Sequence, residues 1–234
     1  MVVLFATLSL SLLVFATAQE GDVLLLDGKE YVIHTNPLEP FLAKNPGKLP
    51  KSNVIISTSN WRGYFATWEV KNDQLLLKDI RILVAKEGGL RSGTERRSVL
   101  SQVFPGRSDI FADWFTGNII IPDGKLVEYV HMGYASTYDS YIILSVEGGV
   151  LARRWKANKA AFEEFRDSQF AAFKKTAEYQ SALAEATSGT SPLNPREAEE
   201  FIRQFYAGKY MSRIFDAPKE PCLSQSLWFQ LEGR

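Results

Sequence analysis

The chain has 234 residues, and its 27 Lys plus Arg balance 27 Asp plus Glu, so the formal net charge is zero. That balance gives no electrostatic footprint for DNA, RNA or an acidic membrane surface. A hydrophobic fraction of 45% suits a folded globule, and the single cysteine, Cys222, excludes an intramolecular disulfide framework and a cysteine-rich zinc site.

Residues 1–18 are uncharged and rich in Leu, Val, Phe and Ala, and they end in Ala16-Thr17-Ala18 before the polar run from Gln19 to Asp22. The small-x-small ending predicts a signal peptide cleaved before Gln19, although no Lys or Arg precedes the apolar run. The rival reading is a retained N-terminal anchor. Export to the periplasm, the cell surface or the medium follows from the first reading, with no stable membrane span after cleavage.

Residues 22–26 and 30–35 flank Asp27-Gly28 and predict a hairpin. Asn36 then reads as the cap of a short helix over 37–44, with Pro37 at its first position. Val54-Ile55-Ile56 reads as a further strand. Between Trp61 and Val84 lie two strand-like runs joined at Lys71-Asn72-Asp73. In the first, Tyr64, Ala66, Trp68 and Val70 alternate with Phe65, Thr67, Glu69 and Lys71, the period of a strand with one buried face. Leu75-Leu76-Leu77 is apolar on both faces and marks the second run as central.

Residues 86–97 read as a solvated loop, or as an anion-binding lip built from Lys86, Arg91, Arg96 and Arg97. GGLRSG lacks the Gly-Lys-Ser/Thr ending of a phosphate-binding loop. Residues 98–104 read as one or two helical turns. Runs at 114–121 and 125–131 bracket Pro122-Asp123-Gly124 and predict another hairpin, and 141–146 a strand ended by Gly148-Gly149. The sum is about eight strands, mostly in hairpins, with no helical pattern able to support parallel crossovers.

Residues 155–186 contain neither Pro nor Gly, and Phe162, Phe165, Phe173 and Leu183 share one helical face. They predict one long amphipathic helix. Asn194-Pro195-Arg196-Glu197 opens a second, with a cap, a proline at the first position and a glutamate at the third. Its apolar stripe is Ala198, Phe201, Ile202 and Phe205. The tail, with Pro218, Pro221 and Leu227-Trp228-Phe229, reads as docking back or adding an edge strand. The predicted fold is therefore α+β: residues 1–18 a signal peptide, 19–150 an antiparallel β domain open to closure toward a barrel, and 151–234 a helical region packed on it.

Chemistry has few carriers. The two histidines, His34 and His131, stand at predicted strand ends, and Asp113 or Asp139, His131 and Ser136 could supply a nucleophilic triad. There is no Gly-x-Ser-x-Gly elbow, no His-Glu-x-x-His, no spaced acidic calcium loop and no nucleotide fingerprint, so neither a metal nor a cofactor is expected. The aromatic residues Trp61, Tyr64, Trp114, Tyr134 and Tyr138, with Arg62 beside the first two, fit a ligand-binding surface for a protein or a glycan. Core packing accounts for the same rings.

The stretches DGKEYVIHTNPLEPF (27–41), WRGYFATWEVKNDQLLLKDI (61–80) and ADWFTGNIIIPDGKLVEYVHMGY (112–134) resemble a group of uncharacterised bacterial proteins. The resemblance covers about half the chain, all in the β part, and implies a bacterial origin without an activity, cofactor or catalytic residue. The function expected is that of an exported, non-enzymatic binding or protein-interaction protein of the bacterial envelope. The alternatives are an envelope hydrolase using His131 with Asp113 or Asp139, and a glycan-binding module.

Overall fold

The computed structural model describes residues 19–52, 54–130, 134–188 and 192–215. The expected signal peptide, His131, Cys222 and the Leu227-Trp228-Phe229 tail lie outside them.

Strands β1 (Asp22–Leu26) and β2 (Lys29–Ile33) form the first hairpin, and Asp27 and Gly28 turn it with φ of 52° and 77°. The reversal needs left-handed backbone at two successive positions, which Asp-Gly accepts at low cost. Helix α1 (Glu39–Lys44) is capped at Leu38 rather than Asn36, whose side chain is engaged elsewhere, and its proline is Pro40. Val54-Ile55-Ile56 is no strand; Ile55 N–H donates to the Leu83 carbonyl at 2.8 Å and the chain runs on irregularly.

The central hairpin forms as the alternation requires. Strands β3 (Phe65–Lys71) and β4 (Gln74–Ala85) pair antiparallel, and Asn72 and Asp73 reverse the chain with φ of 51° and 57°. The stretch expected to be a loop holds a 3-10 turn at Leu90–Ser92 and an exposed strand, β5 (Thr94–Ser98), on the edge of β4. Of the four cations in this stretch, Arg96 pairs with Glu20 and Arg97 with Glu95. Then come α2 (Leu100–Val103), where the helical turns were expected, and the two-residue β6 (Ile110–Phe111) beside Leu76 and Leu77 of β4.

The hairpin expected around Pro122-Asp123-Gly124 does not form. Strand β7 (Gly117–Pro122) pairs with β10 (Ser140–Glu147), while β8 (Leu126–Glu128) makes a separate two-stranded sheet with β9 (Thr137–Tyr138). Strand β11 (Val150–Asn158) completes a hairpin with β10, so Trp155 lies on a strand rather than opening a helix. The main sheet has the order β2-β1-β3-β4-β11-β10-β7, with β5 and β6 both paired to β4. It is mostly antiparallel. Strands β1 and β3, however, run parallel, Val23 opposite Thr67, because α1 and the irregular stretch after it carry the chain back across the sheet. A parallel crossover needs length, and not a long helix.

The sheet does not close into a barrel. At its open ends β2 and β7 make no ladder. His34 N–H donates to the Ile120 carbonyl at 2.8 Å, and the Thr35 hydroxyl, buried, donates to the Asn118 carbonyl and accepts from Ile120 N–H at 3.2 and 3.0 Å.

Alternation on β7 and β10 divides the interior in two. Ile119, Ile121, Ile142, Leu144 and Val146 join Trp68, Leu24 and Leu77 in one core. Ile120, Tyr141 and Ile143 point to the other, under Phe162, Phe165, Phe173 and Tyr210. These last come from the helical layer, which holds four described helices where two were expected: α3 (Lys159–Phe173), α4 (Ala177–Ser188), α5 (Pro195–Phe205) and α6 (Ala207–Met211). The expected long helix breaks between Phe173 and Ala177, and this kink brings Tyr179 edge-on to Phe170 and Phe173. Asn194 and Glu197 form the capping box that opens α5. Among the described residues no helix is long and apolar enough to cross a membrane.

Candidate functional site

Alternation along β1 places Asp22 on the same face as Leu24 and Leu26, so a carboxylate enters the core with the leucines. It meets Arg62, brought in from the residue before the Gly63 bend, whose φ is 77°. The ion pair is 3.0 Å long, with side chains 0% and 1% exposed. Such burial costs least when the remaining polar sites are met, as here all but the buried Arg62 Nε are. Asp22 also accepts from Ala66 N–H and Trp68 Nε1–H, both at 3.1 Å. Arg62 donates to Asn36 Oδ1 and to the Glu20 carbonyl, each at 2.7 Å, and its guanidinium lies 4.9 Å from the Tyr64 ring centre.

Around this pair, Tyr64 OH donates to Glu39 and Tyr134 OH to Asn36 Oδ1, both at 2.9 Å. Burial is the largest effect and opposes the Arg62 cation, but Asp22 together with Tyr134 and Tyr64 outweighs it and holds the guanidinium above its ordinary pKa. Burial pushes the Asp22 carboxyl up, against the pull of Arg62 and its two N–H donors. It also raises both phenols, so Tyr64 and Tyr134 are neutral donors throughout the physiological range. The network is a rigid brace that fixes Asn36, Glu39 and Tyr134.

The brace forms one side of a cleft of about 890 Å3, with Asn36, Glu39, Trp61, Arg62 and Tyr134 on its wall. The facing wall is helical: Glu178 of α4, Phe205 at the end of α5, and Tyr206, Lys209 and Arg213. Trp61 is 65% exposed and Phe205 47%. These two rings are left in water at the cleft rather than packed in a core. A second cavity, about 280 Å3, shares Tyr134, Gln204 and Gly208 with the first and contains His34 and Ser136. There His34 stacks on Tyr134 at 4.8 Å and meets Tyr138 edge-on at 5.8 Å. Burial lowers its pKa to about 4, so the imidazole is neutral at pH 7.

Of the residues singled out by sequence, Trp61, Arg62 and Tyr134 come together at the cleft. Tyr64 lies beneath it, fully buried and bonded to Glu39. Trp114 packs with Phe41 and Phe104 against the first core, its Nε1–H donating to the Pro37 carbonyl at 3.0 Å. Tyr138 packs edge-on to Tyr141 and borders the second core. Of the residues proposed for a triad, Asp113, Ser136 and Asp139 fall among the described residues and His131 outside them. Ser136 is bonded through its hydroxyl to Val130 N–H and C=O, and Asp139 accepts from Lys125 N–H at 2.8 Å. Asp113 sits beside the Gly148 turn. The eight residues of β10, about 25 Å at strand rise, separate it from Asp139.

Sequence reading missed Asp22, Asn36, Glu39, Glu178, Lys209 and Arg213. Only Asp22 carried a signal, a charged residue in phase with Leu24 and Leu26. The others face the cleft because distant elements meet there. Among the described residues no group of three or more His, Cys, Asp or Glu could hold a metal ion. Compared with protein-family models, curated proteins and solved structures, the chain matches none.

Proposed function

We infer that the chain is an exported, non-enzymatic binding protein of the bacterial envelope, which holds an organic ligand between the Asp22–Arg62 brace and the helical layer. Export rests on the apolar leader and its Ala16-Thr17-Ala18 ending. Binding rests on one observation above the rest, the cleft. Its volume suits an organic ligand, exposed rings at its mouth supply contact area, and a buried ion pair pre-orients its polar groups.

A direct test is a thermal-shift screen of the purified protein against amino acids, short peptides, oligosaccharides and fatty acids. It is repeated on Ala43→Trp, which crowds the cleft from an exposed position on α1 without touching the brace. A ligand that raises the melting temperature of the native protein and not of the variant supports the reading. Failure of every class to produce a variant-sensitive shift overturns it. Saccharide hits alone select the glycan-binding form of the same reading.

A further inference from the structure

Resting on that reading, the distribution of charge in the cleft names a class of ligand. On the helical wall Glu178 accepts from Lys209 at 3.3 Å and pairs with Arg213 as well. Burial opposes its ionisation, yet the two cations outweigh it and hold the carboxyl below its usual range. Two positive charges thus share one negative, and among the described residues this wall carries a surplus positive charge. The Arg62 charge on the opposite wall is taken up by Asp22. Glu39 is different. It accepts a neutral phenolic hydrogen bond from Tyr64 and, among the described residues, has no cation within ion-pair distance. That wall carries a surplus negative charge.

A simple anion would be drawn by one wall and repelled by the other, and a simple cation the reverse. A purely apolar ligand would dehydrate both surplus charges without compensation. A molecule with a cation at one end and a carboxylate at the other meets both. Elsewhere on the cleft lining, Trp61, Phe205 and Tyr206 offer apolar contact, and Thr116, Gln204 and Ser212 offer hydrogen-bonding groups. About 890 Å3 gives room for several residues. We propose that the cleft binds a short peptide with free ends, its ammonium toward Glu39 and its terminal carboxylate toward Lys209 and Arg213.

The test is calorimetric titration of the purified protein with tripeptides carrying each standard residue at the centre between alanines. The tightest binder is then compared with its N-acetylated and C-amidated forms. Each cap is expected to weaken binding about tenfold. Glu39→Gln keeps an acceptor for Tyr64 and should make the protein indifferent to acetylation. Lys209→Met, at a side chain 63% exposed, should blunt the response to amidation without threatening the fold. Equal binding of the doubly capped peptide overturns the proposal. So does the absence of peptide binding where another class gives shifts sensitive to Ala43→Trp, and the cleft reading then stands alone. Absence of any such shift removes both.

Discussion

Two side chains show how much a single buried residue decides. Among the described residues Asp22 is the only ionic partner of Arg62, and Asp22→Ala leaves a guanidinium with 1% side-chain exposure without a countercharge. The expected loss is about 3–5 kcal/mol in urea unfolding, whereas Asp22→Leu combined with Arg62→Met should recover much of it. His34 is the second. Its pKa is about 4 in the fold, against about 6.5 in an unfolded chain, so folding excludes a proton. The stability this represents is fully present above pH 6.5 and is lost as pH falls toward 4. Between pH 7 and pH 4.5 the unfolding free energy should fall by about 2 kcal/mol more in the native protein than in His34→Phe, read from urea midpoints at each pH.

At the scale of elements, what was legible is what short-range chemistry controls. The β3–β4 hairpin followed from strict alternation and from Asn72-Asp73, both of which take positive φ. Helix α5 followed from Asn194 and Glu197, and the reciprocal bonds of its capping box are present. Asn194→Ala should therefore cost about 1 kcal/mol by denaturant unfolding, with helical content otherwise unchanged by circular dichroism. Strand β11 was missed because its Arg153, Arg154 and Lys156 interrupt the apolar pattern and an Ala-rich run follows. Strand β5, Thr-Glu-Arg-Arg-Ser, is exposed throughout and has no apolar face to announce it. The turn at Pro122-Asp123-Gly124 was legible as a turn, but a turn signal says nothing about pairing: Ile119 and Ile120 pair with β10, more than twenty positions along the chain.

For the molecule as a whole, the sequence indicated an α+β class and an antiparallel majority, and left strand order and the cleft unread. Arg62 reaches Asp22 across 40 residues and Asn36 across 26, and Tyr134 reaches Asn36 across 98. No periodicity reports on separations of that kind. The cleft depends on them twice, since the brace sets one wall and the packing of α4, α5 and α6 sets the other.

The meeting of β2 with β7 has a consequence for how the whole protein breathes. Most strands of the sheet are stitched by ladders several residues long, although β4 and β11 meet only at Gln74 and Val150. Here one hydroxyl, that of Thr35, makes two bonds beside the His34 backbone bond and the Lys29–Asp123 pair. The seam is thus a place where the sheet can part without dismantling a hairpin. Thr35→Val, close in shape but without the hydroxyl, leaves a buried amide and carbonyl unpaired at an expected cost of about 1–3 kcal/mol. Amide hydrogen exchange gives the sharper reading. In the variant, Ile120 N–H should lose protection well before the amides of β3 and β4, an unzipping confined to one margin of the sheet while its centre stays closed.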